Sequence, residues 1–334
     1  MADVSVKLIN RLSDAFGVSG CEDEVRDIIL SEIEPFCDSV QVDKIGNIIA
    51  VKKAENLTKS EKTVMLMANM DESGFIISRI KEGGGAFLDF QPVGKIHPQT
   101  VVSERVTVGE NRANGVISLK AVHLTTKEER DKPVKLSDLF IDIGAENKAE
   151  AEAMVMIGDY AAFKSNFRRL GKYALCNKAA ACRACCAVLI EALGYASGTN
   201  LICVFTAQRE SGLRGSRIDY SKYTGINPDV CIVLDAAEGD LKLGGGAVTP
   251  EIINQSIADR EVLNALKEAC GETENQFVFK SVDSDIKGVN FGYGGTLCAE
   301  LDIPAKNMGT SAVIVDIRDI NHAADTIEKF LNRS

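Results

Sequence analysis

Apolar positions at the start of the chain recur at helical spacing. Val6, Leu8, Ile9, Leu12 and Phe16 fall near one face, and Gly17 and Gly20 break the pattern. The segment EDEVRDIILSEIEPF opens with acidic residues, which suit the positive end of a helix dipole and predict a second helix. Two β-rich runs follow at 39–42 and 47–51, joined by a Lys-Ile-Gly turn. Residues 63–67 are almost continuously apolar, the pattern of a parallel strand covered on both faces.

The pattern changes between residues 72 and 174. Short β-like runs at 75–80, 86–90, 104–108, 115–119, 139–143 and 160–164 are separated by Gly-rich or polar turns, and only 148–156 reads as helix. Closely spaced short strands predict a small barrel or sandwich. Beyond Cys176 helix and strand alternate again: helices at 183–193, 260–270 and 323–331, strands at 201–206 and 230–234. Alternation of this kind predicts a mostly parallel α/β sheet. The simplest architecture is an α/β domain built from 1–71 and 175–334, with a β domain at 72–174 inserted into it.

A length of 334 residues fits two domains at roughly 150 residues each. With 45% apolar and 26% charged residues the chain has the make-up of a globular protein, not a disordered one. The net charge of −10 argues against nucleic acid and anionic membranes as partners. No apolar run reaches the roughly 18 residues of a membrane helix. Lys7, Arg11 and Asp14 interrupt the apolar start, so it does not read as a secretory signal and a cytoplasmic location is expected. Ten cysteines are then expected as reduced, packed thiols. His97, His123 and His322 are the only histidines, few for an imidazole-bound metal centre.

In open α/β sheets, functional residues gather where strands end. The run at 63–67 leads into Ala68-Asn69-Met70-Asp71-Glu72. The run at 201–205 leads into Thr206-Ala207-Gln208-Arg209-Glu210-Ser211-Gly212. The run at 230–234 leads into Asp235-Ala236-Ala237-Glu238. Asp71, Glu210 and Asp235 are thereby candidates for one cleft, as metal ligands or an acid–base pair; each also suits a simple turn or helix cap. Gly244-Gly245-Gly246 reads as a turn, because no P-loop Lys-Ser/Thr follows it. Cys182 and Cys185 form a C-x-x-C within the cluster 176–186. Without a second such pair, packing is the leading reading, and a redox or metal role is the alternative.

These strand ends, with GVSGCEDEVRDII, VDKIGNIIAVKK, VHLTTKEERDKPVKLSDLFIDIGA and VDIRDI in the same order, resemble the tetrahedral di-metal aminopeptidases. That family includes glutamyl and deblocking aminopeptidases, some labelled endoglucanase or cellulase M. The resemblance implies a zinc-peptidase-like mixed sheet with flanking helices and an inserted β-barrel dimerisation domain. It also implies two divalent metals, Zn or Co. The family's site does not carry over whole. Asn69 stands where the family has a metal-binding His, while Asp71, which orients that His, remains. Ala181 stands where an Asp bridges both metals. Gly309 takes the place of the last His ligand, and His322 reads as a helix-start residue in the wrong register to replace it. Arg209 occupies the position of the general base. Glu210 and Asp235 remain as ligands.

On this reading the chain is an inactive member of the family that binds no metal cofactor. It would act as a peptide-binding or oligomer-partner protein. Its partners would be copies of itself, as a dimer or dodecamer, a paralogous aminopeptidase, or short peptides. The alternative is an active aminopeptidase releasing N-terminal residues from short peptides through an altered metal site, with Asp71, Asn69 and Cys182 as substitute ligands. A permanently charged guanidinium among carboxylates that lack a metal is expected to bridge them. Arg209 is therefore expected within hydrogen-bond reach of Asp71, Glu210 or Asp235.

Overall fold

The computed structural model describes residues 3–54, 62–196, 198–254, 256–275, 279–291 and 296–332. The two N-terminal helices are Val6–Asp14 and Asp23–Ile33, the first capped by the Ser5 side chain, which accepts from the Leu8 amide. Strands β1 (Ser39–Val42), β2 (Ile48–Lys52) and β3 (Thr63–Asn69) follow. Every residue of β3 is buried, as its continuous apolar run predicts. Next come β4 (Gly74–Glu82), β5 (Ala86–Val93), β6 (Arg105–Val108), β7 (Ala113–Leu119), β8 (Leu139–Asp142) and β9 (Tyr160–Phe163). These six close into a barrel in the order β4-β5-β8-β7-β6-β9, around a core that includes Phe75, Phe90, Ile117, Ile141 and Phe163. Inward residues alternate with outward ones along most of β5, β7 and β8, while β9 is buried at three successive residues; short apolar runs bounded by turns located all six.

β10 (Arg168–Leu170) and β11 (Ala174–Asn177) return the chain to the large sheet. β12 (Asn200–Thr206) and β13 (Val230–Ala237) are central strands. β14 (Ile252–Ile253), β15 (Ser256–Ile257) and β16 (Phe279–Lys280) form a separate three-stranded sheet. β17 (Leu297–Lys306) and β18 (Val313–Asp316) complete a nine-stranded mixed sheet ordered β1-β2-β12-β3-β13-β17-β18-β11-β10. Its four central strands, β12, β3, β13 and β17, run parallel, so their carboxyl ends open on one edge. The barrel leaves the chain at that edge, directly after β3.

Three sequence expectations need adjustment. The helix expected at 183–193 spans Ala180–Tyr195 and is buried along most of its circumference, because its Ala and Cys side chains let neighbours approach closely. The C-terminal helix spans Ile317–Leu331, with Asp316 as its N-cap, so His322 lies within the helix and not at its start. β10, β11, β17 and β18 were not anticipated. β17 is buried on both faces along 298–305, but its apolar run is interrupted by Glu300, Asp302 and Pro304, residue types that ordinarily mark a loop.

Candidate functional site

The carboxyl ends of the four parallel strands bring the expected side chains together. β12 pairs with β3 so that Thr206 lies beside Asn69, and the chain beyond Thr206 turns sharply at Gln208, whose φ is +58°. That turn lifts Arg209 and Glu210 over the strand ends. The Arg209 side chain is only 11% exposed. Its Nη1 donates to Glu210 Oε1 at 2.9 Å and its Nη2 to Asp235 Oδ2 at 2.7 Å and to the Asp283 carbonyl at 3.0 Å. Arg209 is thus a buried bridge between two carboxylates and not a solvated surface arginine. Glu210 Oε2 accepts from Ser73 Oγ at 3.0 Å and from the Lys95 amide at 3.4 Å.

Asp71 is buried and fixes the same turn, with Oδ2 accepting from the Glu210 amide at 2.8 Å. Asn69 Nδ2 donates to Asp71 Oδ1 and to the Asp71 carbonyl, each at 3.2 Å. The Asn–Asp pair therefore keeps the contact expected of an orienting carboxylate, but with an amide as its partner. Ala181 is buried in the first turn of its helix and offers only a methyl group. Gly309 has φ +74°, and a Cβ built there would lie 2.6 Å from the Lys95 carbonyl oxygen. Any side chain at 309 requires the backbone to shift.

In the cysteine cluster Cys185 and Cys186 are buried, and Cys176 and Cys182 are half-buried. Cys182 Sγ donates to the Asp71 and Ala179 carbonyls, Cys185 to the Asp235 carbonyl and Cys186 to the Asn69 carbonyl. Burial pushes the Cys182 thiol up to about 11 and raises Cys185 further from thiolate character. Without a metal, both are therefore poor nucleophiles for disulfide exchange. His322 is committed elsewhere: Nδ1 accepts from the Ala247 amide at 3.1 Å, and Nε2 lies 3.0 Å from the Cys270 carbonyl. The Gly244 and Gly246 amides donate to the two Asp319 oxygens at 2.7 and 2.8 Å, so the glycine turn has no free amides for a phosphate.

Sequence reasoning missed four residues of this edge: Lys280, Asp285, Glu300 and Asp302. Asp235 of β13 lies in register with Asp302 of β17, and Glu300, two residues earlier, shares that face. Carboxylate oxygens of Asp235, Glu300 and Asp302 lie within 4.8 Å of one another, and all three residues are buried. Lys280 Nζ sits among them, at 2.9 Å from Asp235 Oδ2, 2.5 Å from Glu300 Oε1 and 3.0 Å from Asp302 Oδ1. Burial alone would raise the Asp235 carboxyl, but Arg209 and then Lys280 outweigh it and hold it down to about 2. Deeper in the edge, Asp285 accepts from Thr206 Oγ1 at 2.6 Å; burial pushes its carboxyl up to about 6 although Arg209 opposes.

An α/β sheet that gathers carboxylates at its parallel strand ends, and gives off a closed barrel there, has the architecture of the tetrahedral aminopeptidases. The TET aminopeptidase of a marine-sediment Thaumarchaeota archaeon superposes on this chain with a TM-score of 0.89 at 27% identity, covering 98% of this chain and 96% of that one. The TET1 peptidase of Pyrococcus horikoshii, which can assemble into a tetrahedron or a large octahedral shell, superposes with a TM-score of 0.85 at 28% identity, over 98% and 99% of the two chains. A candidate aminopeptidase of Acetivibrio thermocellus is 32% identical over 330 residues, 95% of each chain. The family model described as M42 glutamyl aminopeptidase matches residues 46–326. This chain belongs to the M42 glutamyl aminopeptidase family.

Proposed function

We propose that this protein keeps the fold and self-assembly of its family without the two-metal aminopeptidase chemistry, and acts through binding and assembly. The observation that carries this reading is Arg209. At the position that the resemblance gives to the general base, a group that cannot accept a proton at neutral pH is ion-paired to both remaining ligand carboxylates, Glu210 and Asp235. The residues present do not fit a pair of divalent metals. A zinc ion needs three or four well-placed donors. Ala181 and Gly309 supply none, the Asn69 amide is turned to Asp71, and the Cys182 thiol is directed to the Asp71 and Ala179 carbonyls.

Against this stands an aminopeptidase with an altered metal site. In its favour is the convergence of Asp235, Glu300 and Asp302. Lys280 counts against it, since a metal at that point would have to expel a buried, triply bonded ammonium. Short peptides or a paralogous aminopeptidase are the partners this reading favours besides copies of the chain. No described helix is long and apolar enough to cross a membrane. The ten cysteines are all unpaired thiols, which accords with a reducing, cytoplasmic compartment.

The deciding experiment combines turnover with elemental analysis. Chromogenic Glu, Leu and Lys substrates with added Co²⁺ or Zn²⁺ should give no signal above heat-killed protein. Loss of a general base alone typically costs about 10²–10⁴-fold. Protein purified without added metal should hold far less than one equivalent of Zn, Co or Mn. Turnover abolished by chelator and restored by metal, or two tightly held metals per chain, overturns the proposal. Assembly is tested separately. Light scattering at micromolar concentration should give a dimer or a larger multiple, and a strict monomer counts against retention of the family's assembly.

A further inference from the structure

Lys280 lies on a two-residue strand of the small sheet, opposite Ile253 of β14. Its neighbour Phe279 is 52% exposed while Lys280 is 2% exposed, so strand alternation turns the ammonium inward. The Asn254 amide donates to the Lys280 carbonyl and fixes the backbone there. An ammonium has three N–H donors. Here each goes to a different carboxylate: Asp235, Glu300 and Asp302. The outer oxygens of two of these are also engaged. Asp235 Oδ1 accepts from the Ala236 amide, and Glu300 Oε2 accepts from Ser284 Oγ. Asp302 Oδ2 is buried without a hydrogen-bond partner. Three converging carboxylates, one with a spare buried oxygen, form the donor set of a hard divalent cation. The chain has put its own cation there.

We propose that Asp235, Glu300 and Asp302 form a cation site whose resident occupant is the Lys280 ammonium, and that removing this side chain opens the site to one hard divalent ion. This rests on the reading of the protein as metal-free. It assigns to Lys280, on an element far from the ligand motifs in sequence, the charge-balancing task that a bound ion would otherwise perform at Asp235. The tether makes that charge independent of metal supply. It also excludes a free ion, because a cation entering beside the ammonium would meet like charge among buried groups.

Three variants and the wild type test this, with Mn²⁺ alone as the probe. Lys280→Ala removes the ammonium and leaves space. Lys280→Met removes the charge but fills the space. Lys280→Met combined with Glu300→Gln also lowers the number of carboxylates left unbalanced. Melting temperature and bound Mn²⁺ are measured with chelator and with excess metal. Wild type should bind no Mn²⁺ and melt identically in both. Lys280→Ala should melt lower in chelator, bind about one Mn²⁺ per chain, the load a single carboxylate-lined site takes, and recover part of its loss. Lys280→Met should melt lower and bind none, and the Glu300→Gln change should recover part of that loss. Lys280→Ala that folds but binds no more Mn²⁺ than wild type overturns the proposal. If it does not fold, the Met pair decides: recovery by Glu300→Gln supports the tethered cation, and its absence overturns it. Wild type that itself takes up two metals defeats instead the metal-free reading on which the proposal rests.

Discussion

Arg209→Ala should lower the melting temperature at pH 7 by on the order of 5 °C, from a loss of about 3 kcal/mol. Removing one partner of a buried ion pair typically costs about 3–5 kcal/mol, because the other charge is left in a poor solvent. The lower end applies here for two reasons. Asp235 keeps Lys280 at 2.9 Å, and Glu210 is 18% exposed with Ser73 still donating to it. Arg209→Lys should recover only part of the loss, since an ammonium cannot reproduce the fork that spans Glu210 and Asp235. The pH dependence has a definite sign. Asp235 is held down to about 2 in the folded protein, against about 3.9 in an unfolded chain. Its pairing therefore stabilises the fold fully above the unfolded value and is lost as pH falls toward the folded one. The gap between wild type and Arg209→Ala should be widest near neutrality, narrow first as pH falls through about 6, where Asp285 takes up its proton, and again between about pH 4 and pH 2. Thermal melts across that range check it. A variant with unchanged melting temperature, or a gap that widens in acid, contradicts the bridging role.

That bridge was legible in the sequence because Arg209 and Glu210 lie just beyond one clearly patterned strand and Asp235 near the end of another. The runs at 201–206 and 230–234 end at Arg209-Glu210 and Asp235, and β12 and β13 flank β3 in the sheet. The barrel was legible because its strands are short apolar runs bounded by turns, with burial alternating along β5, β7 and β8. Lys280, Glu300 and Asp302 were not legible. Glu300 and Asp302 are fully buried in a central strand, where charges are tolerated only if paired, and their partner arrives from a strand two residues long. No local pattern announces such a pairing. The one available signal was the i, i+2 spacing of two carboxylates among Cys298, Ala299, Leu301 and Ile303, which puts both on one face of any strand formed there. Gly309 illustrates the other limit. A missing imidazole can be read from the sequence, whereas the Lys95 carbonyl that would have to shift before a side chain could return cannot.

Glu72→Ala should have the largest effect on stability, a loss on the order of 5 kcal/mol and a fall in melting temperature on the order of 8 °C. Glu72 follows the Asn69–Asp71 motif and is buried beneath it. Its Oε1 accepts from Lys178 Nζ at 2.6 Å and from the Gly17 amide at 3.1 Å, and Arg183 Nη2 lies 3.6 Å away. The side chains of Glu72, Lys178 and Arg183 are 4%, 3% and 0% exposed. Arg183 Nε donates to the Leu12 carbonyl at 3.0 Å, but Nη1 and Nη2 make no hydrogen bond. One carboxylate thus faces two buried cations, and its removal leaves both uncompensated. Glu72→Gln keeps the shape and an acceptor but not the charge, so it should destabilise almost as much. Lys178 then sets the pH dependence. Burial lowers its ammonium below the usual lysine range, with Glu72 as the main opposing influence. Without Glu72 it should fall further, while in the unfolded chain it stays near about 10.4. The unfolded state then binds more protons than the folded one over that interval, so the variant gains stability as pH rises. Its deficit against wild type should shrink as pH rises toward the unfolded lysine value of about 10.4 but not vanish, because Arg183 stays charged throughout. Circular dichroism melts of Glu72→Ala, Glu72→Gln and wild type at three increasing pH values measure this. A deficit that grows with pH, or a Gln variant as stable as wild type, would show that the carboxylate charge is not what holds Lys178 and Arg183 in place.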